Sequence, residues 1–209
     1  MSWPATDRYR LSPAPGGLGL VQDLLNTAPA GMPSSTDLLG EPESAQRWAD
    51  GAVLGWTGTT GRSPVHVRLR EADLPALRRV RGQIRRALTE RGQRGEEEDE
   101  ANGLPAVVFT SVPLAVSLDG EAGLRLEPEG EGWRWIASAV LGEALLAQTA
   151  GTWPRLKICR NVPCATAFWD QSRNNSAVWH SAKGCGNAAH LRAARRRRKQ
   201  REQEPADGA

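Results

Sequence analysis

Residues 159–199 read CRNVPCATAFWDQSRNNSAVWHSAKGCGNAAHLRAARRRRK. All three cysteines of the 209-residue chain lie in this stretch, as Cys159, Cys164 and Cys185, and His180 stands before the last of them. The spacing gives two ligand pairs, Cys159-x4-Cys164 and His180-x4-Cys185, separated by fifteen residues. Thiolates and imidazole suit a borderline-soft cation, and zinc takes four such donors in a tetrahedron. A complete Cys3His set closes that shell and makes the zinc structural. A catalytic zinc would instead leave one of the four off the metal and need a general base, for which Asp170 is the only acid between the pairs. Phe168, Trp169 and Trp179 supply the bulk for a small core around the ion; stacking on a nucleobase is their other use.

The metal segment runs into Arg195-Arg196-Arg197-Arg198-Lys199. No proline interrupts residues 188–201, and alanine favours helix there. Cys185 is expected at the helix entrance with Asn187 as its cap. Arg192, Arg195, Arg196 and Lys199 share one face, whereas Arg197, Arg198 and Arg201 lie on others. A helix cationic nearly all round suits a polyanion, whose condensed counterions it displaces in a salt-dependent way. Arg173 and Asn174, in the loop between the ligand pairs, are the next candidates for nucleic-acid contact.

The net charge of +3 divides unevenly. Residues 1–150 carry 15 Lys and Arg against 20 Asp and Glu, a net −5; residues 151–209 carry 12 against 4, a net +8. Three thiolates and one dication shift the second figure by only about −1. An acidic body with a basic end assigns polyanion contact to the end alone.

The rest of the chain reads as an α+β body, mostly helical. Residues 1–17, rich in Pro and Gly, suggest a flexible lead-in. Leu18 to Leu25 is a short buried helix through Leu18, Val21, Leu24 and Leu25. Thr36 to Val53 is helical in part, with Pro42 in a first turn and Trp48 inward. Trp56 to Ser63 reads as a Gly/Thr-rich connection. Asp73 to Arg91 is a helix that Asp73 can cap, with Leu74, Leu77, Val80, Ile84 and Leu88 inward. Arg78, Arg79, Arg81, Arg85 and Arg86 then form a solvated outer face. Glu96-Glu97-Glu98-Asp99-Glu100 reads as a mobile, self-repelling loop. Leu114 to Leu118 and Leu124 to Leu126 alternate about Asp119-Gly120 as a β-hairpin of open register. Trp133 to Ala150 returns to helix, with Ile136, Val140, Leu141, Ala144 and Leu145 as its apolar stripe and Gly151 as its stop. Residues 202–209 read as a disordered tail.

No segment reaches the ~20 continuous apolar residues of a membrane span. Met1-Ser2-Trp3-Pro4 lacks the basic and apolar run of a secretory signal, and an odd cysteine count favours a reducing compartment. The body shows no phosphate loop and no nucleophile elbow. His66 stands alone in an extended stretch and reads as structural. The expectation is therefore a cytoplasmic, non-enzymatic protein.

From Leu156 to about Arg198 the sequence resembles the CGNR-type zinc fingers of bacterial proteins. The likeness rests on Cys159-x4-Cys164, Phe168-x-Asp170, Ser172-Arg173-Asn174, Trp179 with a ligand after it, Ser181, and Cys185-Gly186-Asn187 before a basic helix. The body resembles the ABATE domain that accompanies this finger, through Leu20-Val21-x-Asp23-x2-Asn26-Thr27, Asp37-Leu38-Leu39, Trp48, the hairpin and the last body helix. The resemblance implies a treble-clef-like finger over residues 153–201 behind an ABATE-like domain over 18–152. It also implies one structural zinc and a stress-responsive transcription regulator that binds DNA, in the nucleoid when bound. The same tail could instead serve an RNA or an acidic protein, and the body a small-molecule effector or self-association. Two positions depart from the family: His180 replaces its third cysteine, and Ala188 replaces the arginine of its name-giving motif.

Overall fold

The computed structural model describes residues 2–31, 35–94, 109, 111–118, 120 and 123–203. The acidic run Glu96–Glu100 and residues 204–209 lie outside the described residues.

The chain folds around one fully buried helix. It runs Leu18–Asn26 (α2), preceded by a short helix Pro4–Asp7 (α1). All nine residues of α2 are buried, Gln22, Asp23 and Asn26 among them. Polar side chains tolerate such burial only when hydrogen-bonded, and these three are. The Asp23 carboxylate accepts from the Thr6 amide at 2.7 Å and from the Trp48 indole at 2.8 Å. Gln22 accepts from the Ala14 amide at 2.5 Å and donates to the Ser12 carbonyl at 3.2 Å. Asn26 turns the other way, to the zinc segment. Its Oδ1 accepts from the Ala167 amide at 2.8 Å and its Nδ2 donates to the Ala167 carbonyl at 3.0 Å.

These bonds correct the flexible lead-in. Trp3, Ala5, Thr6 and Ala14 are buried. The Trp3 ring lies so close to Gly19 that a Cβ there would sit 2.5 Å from it. The first residues are the partners that the polar side of α2 requires.

Three longer helices enclose α2: Pro42–Thr60 (α3), Leu74–Arg94 (α4) and Trp133–Thr149 (α5). Pro42 occupies the first turn of α3, which runs seven residues past Val53, into the expected connection. Thr59 and Thr60 donate their hydroxyls to the Gly55 and Trp56 carbonyls, so these residues sit within the helix without losing their polar contacts. Gly61, at φ +68°, ends it. Asp73 belongs to a 3-10 turn before α4, and its carboxylate accepts from the Arg70 amide at 2.8 Å.

The basic side of α4 is not one solvated face. Arg81 is buried, grips both oxygens of Asp37 at 2.6 and 2.7 Å, and reaches Thr27. Burial alone would raise the Asp37 carboxyl, but the Arg81 guanidinium and the Leu39 amide hold it below the usual carboxylate range. Arg85 donates to the Leu25 and Ala165 carbonyls. Arg78 bonds the Leu39 carbonyl and stays exposed, as do Arg79 and Arg86.

Strands Leu114–Leu118 (β1) and Leu124–Pro128 (β2) pair antiparallel, Leu114 with Pro128 and Leu118 with Leu124. The register left open in the sequence is thereby fixed. The hairpin lies along α5, where the Ser138 hydroxyl accepts from the Glu129 amide and donates to the Pro113 carbonyl. Gly151, at φ +68°, follows α5, and Leu145 is exposed, unlike the rest of the expected stripe. His66 is exposed and lies 3.4 Å from Asp50. A second antiparallel pair, Leu156–Ile158 (β3) and Ala167–Trp169 (β4), leads to the final helix Asn187–Gln203 (α6). The chain is thus α+β: mostly helical, with two small hairpins among the described residues. No described helix is long and apolar enough to cross a membrane.

Candidate metal centre and nucleic-acid interface

Cys159 and Cys164 flank the knuckle that joins β3 to β4. The Cys164 and Ala165 amides both donate to the Asn161 carbonyl, at 2.7 and 3.0 Å, and Ala165 adopts φ +49° to close the turn. Across the strand ends the Cys159 amide donates to the Thr166 carbonyl at 2.9 Å. The second ligand pair arrives after a loop that Asp170 organises. Its buried carboxylate accepts from Lys157 Nζ at 2.7 Å and from the Ser172 and Ala177 amides at 2.8 and 2.9 Å. Burial would raise that carboxyl, but Lys157 and Ser172 hold it below its ordinary value. Asp170 therefore braces the loop, and no acidic group joins the ligand cluster among the described residues.

Cys185 sits in a five-residue π turn, Ala182–Gly186, that opens directly into α6. Ser181 caps this turn by accepting from the Gly184 amide at 3.0 Å. The sequence suggested Asn187 as cap; it is instead the first residue of α6, in helical conformation.

The four expected ligands come together. The sulfurs of Cys159, Cys164 and Cys185 and a ring nitrogen of His180 lie within 4.8 Å of one another. His180 Nδ1 is 3.4 Å from the Cys164 sulfur and 3.6 Å from that of Cys185. Tetrahedral zinc, with bonds of about 2.3 Å to sulfur and 2.0 Å to nitrogen, sets these atoms about 3.5 Å apart. The donor set fits one structural zinc with a closed shell, and His180 substitutes for the family cysteine without loss of a ligand.

Packed so closely, the thiols compete for protons. Hydrogen bonding with Cys159 holds the Cys164 thiol well below its ordinary value, helped by His180 and Thr166. The same bond, with burial, pushes Cys159 up, and burial pushes Cys185 up. A dication removes the competition by stabilising every thiolate.

Asn161 and Thr166, which the sequence reading passed over, support the ligands. Asn161 is fully buried and donates Nδ2 to the Cys185 sulfur at 3.1 Å. The Thr166 hydroxyl lies 3.3 Å from the Cys164 sulfur and 3.2 Å from His180 Nδ1. Such outer contacts orient metal ligands and tune their basicity. Their one sequence signal was a small polar residue placed two positions after each cysteine of the first pair. Phe168 and Trp179 pack on the cysteines, joined by Leu11 from the N-terminal segment. Trp169 belongs to the main core instead.

The nucleic-acid candidates separate into two groups. Arg173 and Asn174 are exposed on the inter-ligand loop, and Arg195, Arg196, Arg197, Arg198 and Lys199 are exposed along α6. Arg192 is different: it is half-buried and donates to Asn161 Oδ1. It lies one turn beyond Ala188, so the helix has an arginine brace to the metal centre despite the alanine. His190 adds a second tie, its ring edge-on to Trp179 with centroids 5.3 Å apart.

Comparison with curated proteins finds no match. Two family models do match: residues 155–198 correspond to the CGNR zinc finger, and residues 18–156 to ABATE, a family described as "putative stress-induced transcription regulator". The second match spans well over half of the 209 residues. This chain belongs to the ABATE family and ends in a CGNR zinc finger.

Proposed function

We propose that the protein is a DNA-binding transcription regulator in which a structural zinc fixes the direction of a cationic helix. The observation that carries this reading is the continuity between metal and helix. Cys185 and the first turn of α6 are consecutive, and Arg192 ties the helix back to Asn161. Arg195 to Lys199 are then exposed on a helix whose root is tied to the metal centre, which favours a polyanion site over a solubilising tail. Arginines mainly contact phosphate, so Arg195–Lys199 supply affinity, and Arg173 and Asn174 are the candidates for base contact. Such a protein works in the cytoplasm, on the nucleoid.

The N-terminal domain is assigned to sensing. Between α3, β2 and α5 lies a cleft of about 350 Å³ lined by Trp56, Arg62, Arg125 and Trp135, among others. Glu127 lines it too and pairs with Arg62, so its aromatic and mixed-charge lining suits a small planar polar molecule.

Gel-shift titration on duplex DNA at rising salt tests the DNA reading. Four to five neutralised phosphates give a slope of log affinity against log salt of about −4. Chelating the zinc should abolish the shift. An affinity indifferent to salt would refute the proposal, as would structured RNA or an acidic peptide outcompeting duplex DNA.

A further inference from the structure

One face of the β1–β2 hairpin is wholly apolar. The register places Leu114, Val116 and Leu118 opposite Pro128, Leu126 and Leu124 on one face, leaving Ala115, Ser117, Arg125 and Glu127 on the other. That apolar face turns toward α5, but α5 covers only its base. Pro113 and Glu129 meet Ser138, and Leu114 and Leu126 approach Gly142, where a Cβ would lie 3.3 Å from Leu114. Hairpin and helix thus run in the same direction, and toward the hairpin tip the cover fails. Val116, Leu118 and Leu124 are 64, 68 and 74 % exposed. Leu145 and Leu146 continue, at i+3 and i+4, the α5 face that Gly142 presents to the hairpin, and are 51 and 45 % exposed.

These five side chains leave roughly 500 Å² of apolar surface per chain in contact with water, near the upper end for a single patch on a monomer. A two-fold pairing of two such patches hides on the order of 1,000 Å², the size at which specific interfaces begin. None of these five side chains is charged. The patch therefore complements a copy of itself, as an isologous interface requires, better than it complements a charged partner.

We propose that a second copy of this chain docks here, hairpin face against hairpin face, making the protein a two-fold dimer. This deepens the DNA-binding reading and rests on it in one respect: two copies place two α6 helices on related half-sites. The area argument stands without it.

Sedimentation velocity on the full-length, zinc-loaded protein tests the proposal, over a dilution series from hundred-micromolar to sub-micromolar. The chain is 22.6 kDa, so the dimer sediments at about 45 kDa. Leu118→Lys and Leu124→Lys, each alone, should shift dissociation to at least about tenfold higher concentration, as expected for truncating an apolar anchor. Both positions are exposed in one chain, so the far-ultraviolet circular dichroism should not change. A wild-type protein that stays at 22.6 kDa throughout overturns the proposal and leaves the patch to another partner. A dimer that survives both substitutions overturns it too, by placing the interface elsewhere. Because mass is read without DNA, either failure leaves the gel-shift result untouched, and loss of DNA binding leaves the mass untouched.

Discussion

Asp23 shows how one residue can hold three parts of the chain at once. It lies in the central helix, binds the Thr6 amide of the N-terminal segment, and receives the Trp48 indole of α3. Burial lifts its carboxyl to about 6, in spite of the hydrogen bonds from Thr6 and Trp48. The folded protein therefore keeps a proton that the unfolded chain releases near the ordinary aspartate value. The contribution to stability is fully present below about pH 4 and is lost as pH rises through about 6. Urea unfolding of the wild type and Asp23→Asn checks this. The wild-type stability minus that of the variant should fall by up to about 3 kcal/mol from pH 4 to pH 7.5. A difference that grows with pH would disprove the assignment. Ligand atoms cancel in this comparison, since both proteins carry the same zinc site.

At the scale of elements, α6 is a helix held at its root and exposed from Arg195 to Lys199. Its root is fixed by the Cys185 turn, by Arg192 on Asn161 and by His190 on Trp179. Arg192→Ala keeps all four ligands and five exposed cations, yet removes the brace. DNA affinity should drop about tenfold or more while zinc stoichiometry stays at one per chain, because the helix loses its fixed approach rather than its charge. Arg197→Ala, the control, should cost only about one phosphate contact and lower the salt slope by about 1. Equal losses from the two variants would show that Arg192 acts through charge alone. The contrast also explains what the sequence could and could not show. Cys159, Cys164, His180 and Cys185 were legible because their chemistry is a property of residue type and spacing. The role of Arg192 was not, since its charge resembles that of its neighbours and only the buried Asn161 oxygen distinguishes it. Arg81 was misread for the same reason, its partner Asp37 lying 44 positions earlier. The end of α3 was hidden differently: threonine side chains bond within the helix that their propensity argues against.

On the scale of the whole molecule, finger and body are one packed unit. Leu156 and Ala167 belong to the main core, Arg91 donates to the Leu156 carbonyl, and the Gly31 amide donates to the Cys164 carbonyl at 2.7 Å. Asn26 makes the most direct join by satisfying both backbone groups of Ala167. Asn26→Ala leaves the Ala167 amide buried and unpaired and its carbonyl with only the longer 3.4 Å bond from Gln22, which should cost about 2 kcal/mol. Limited proteolysis should then cut faster around Gly151–Pro154, where α5 hands over to β3. Unchanged cleavage would mean that the join is held elsewhere.

The Asn26 bracket also bears on how such proteins diversify. The two family segments meet at residues 155–156, but the physical seam lies at Ala167, inside the finger. Asn26 reads the Ala167 backbone and no side chain, so a finger grafted from a relative can satisfy it only if its own β4 packs at the same depth. Chimaeras cut at the family boundary should therefore fold only when the residues facing that strand travel with it. Proteins of this architecture would then trade whole chains rather than cassettes.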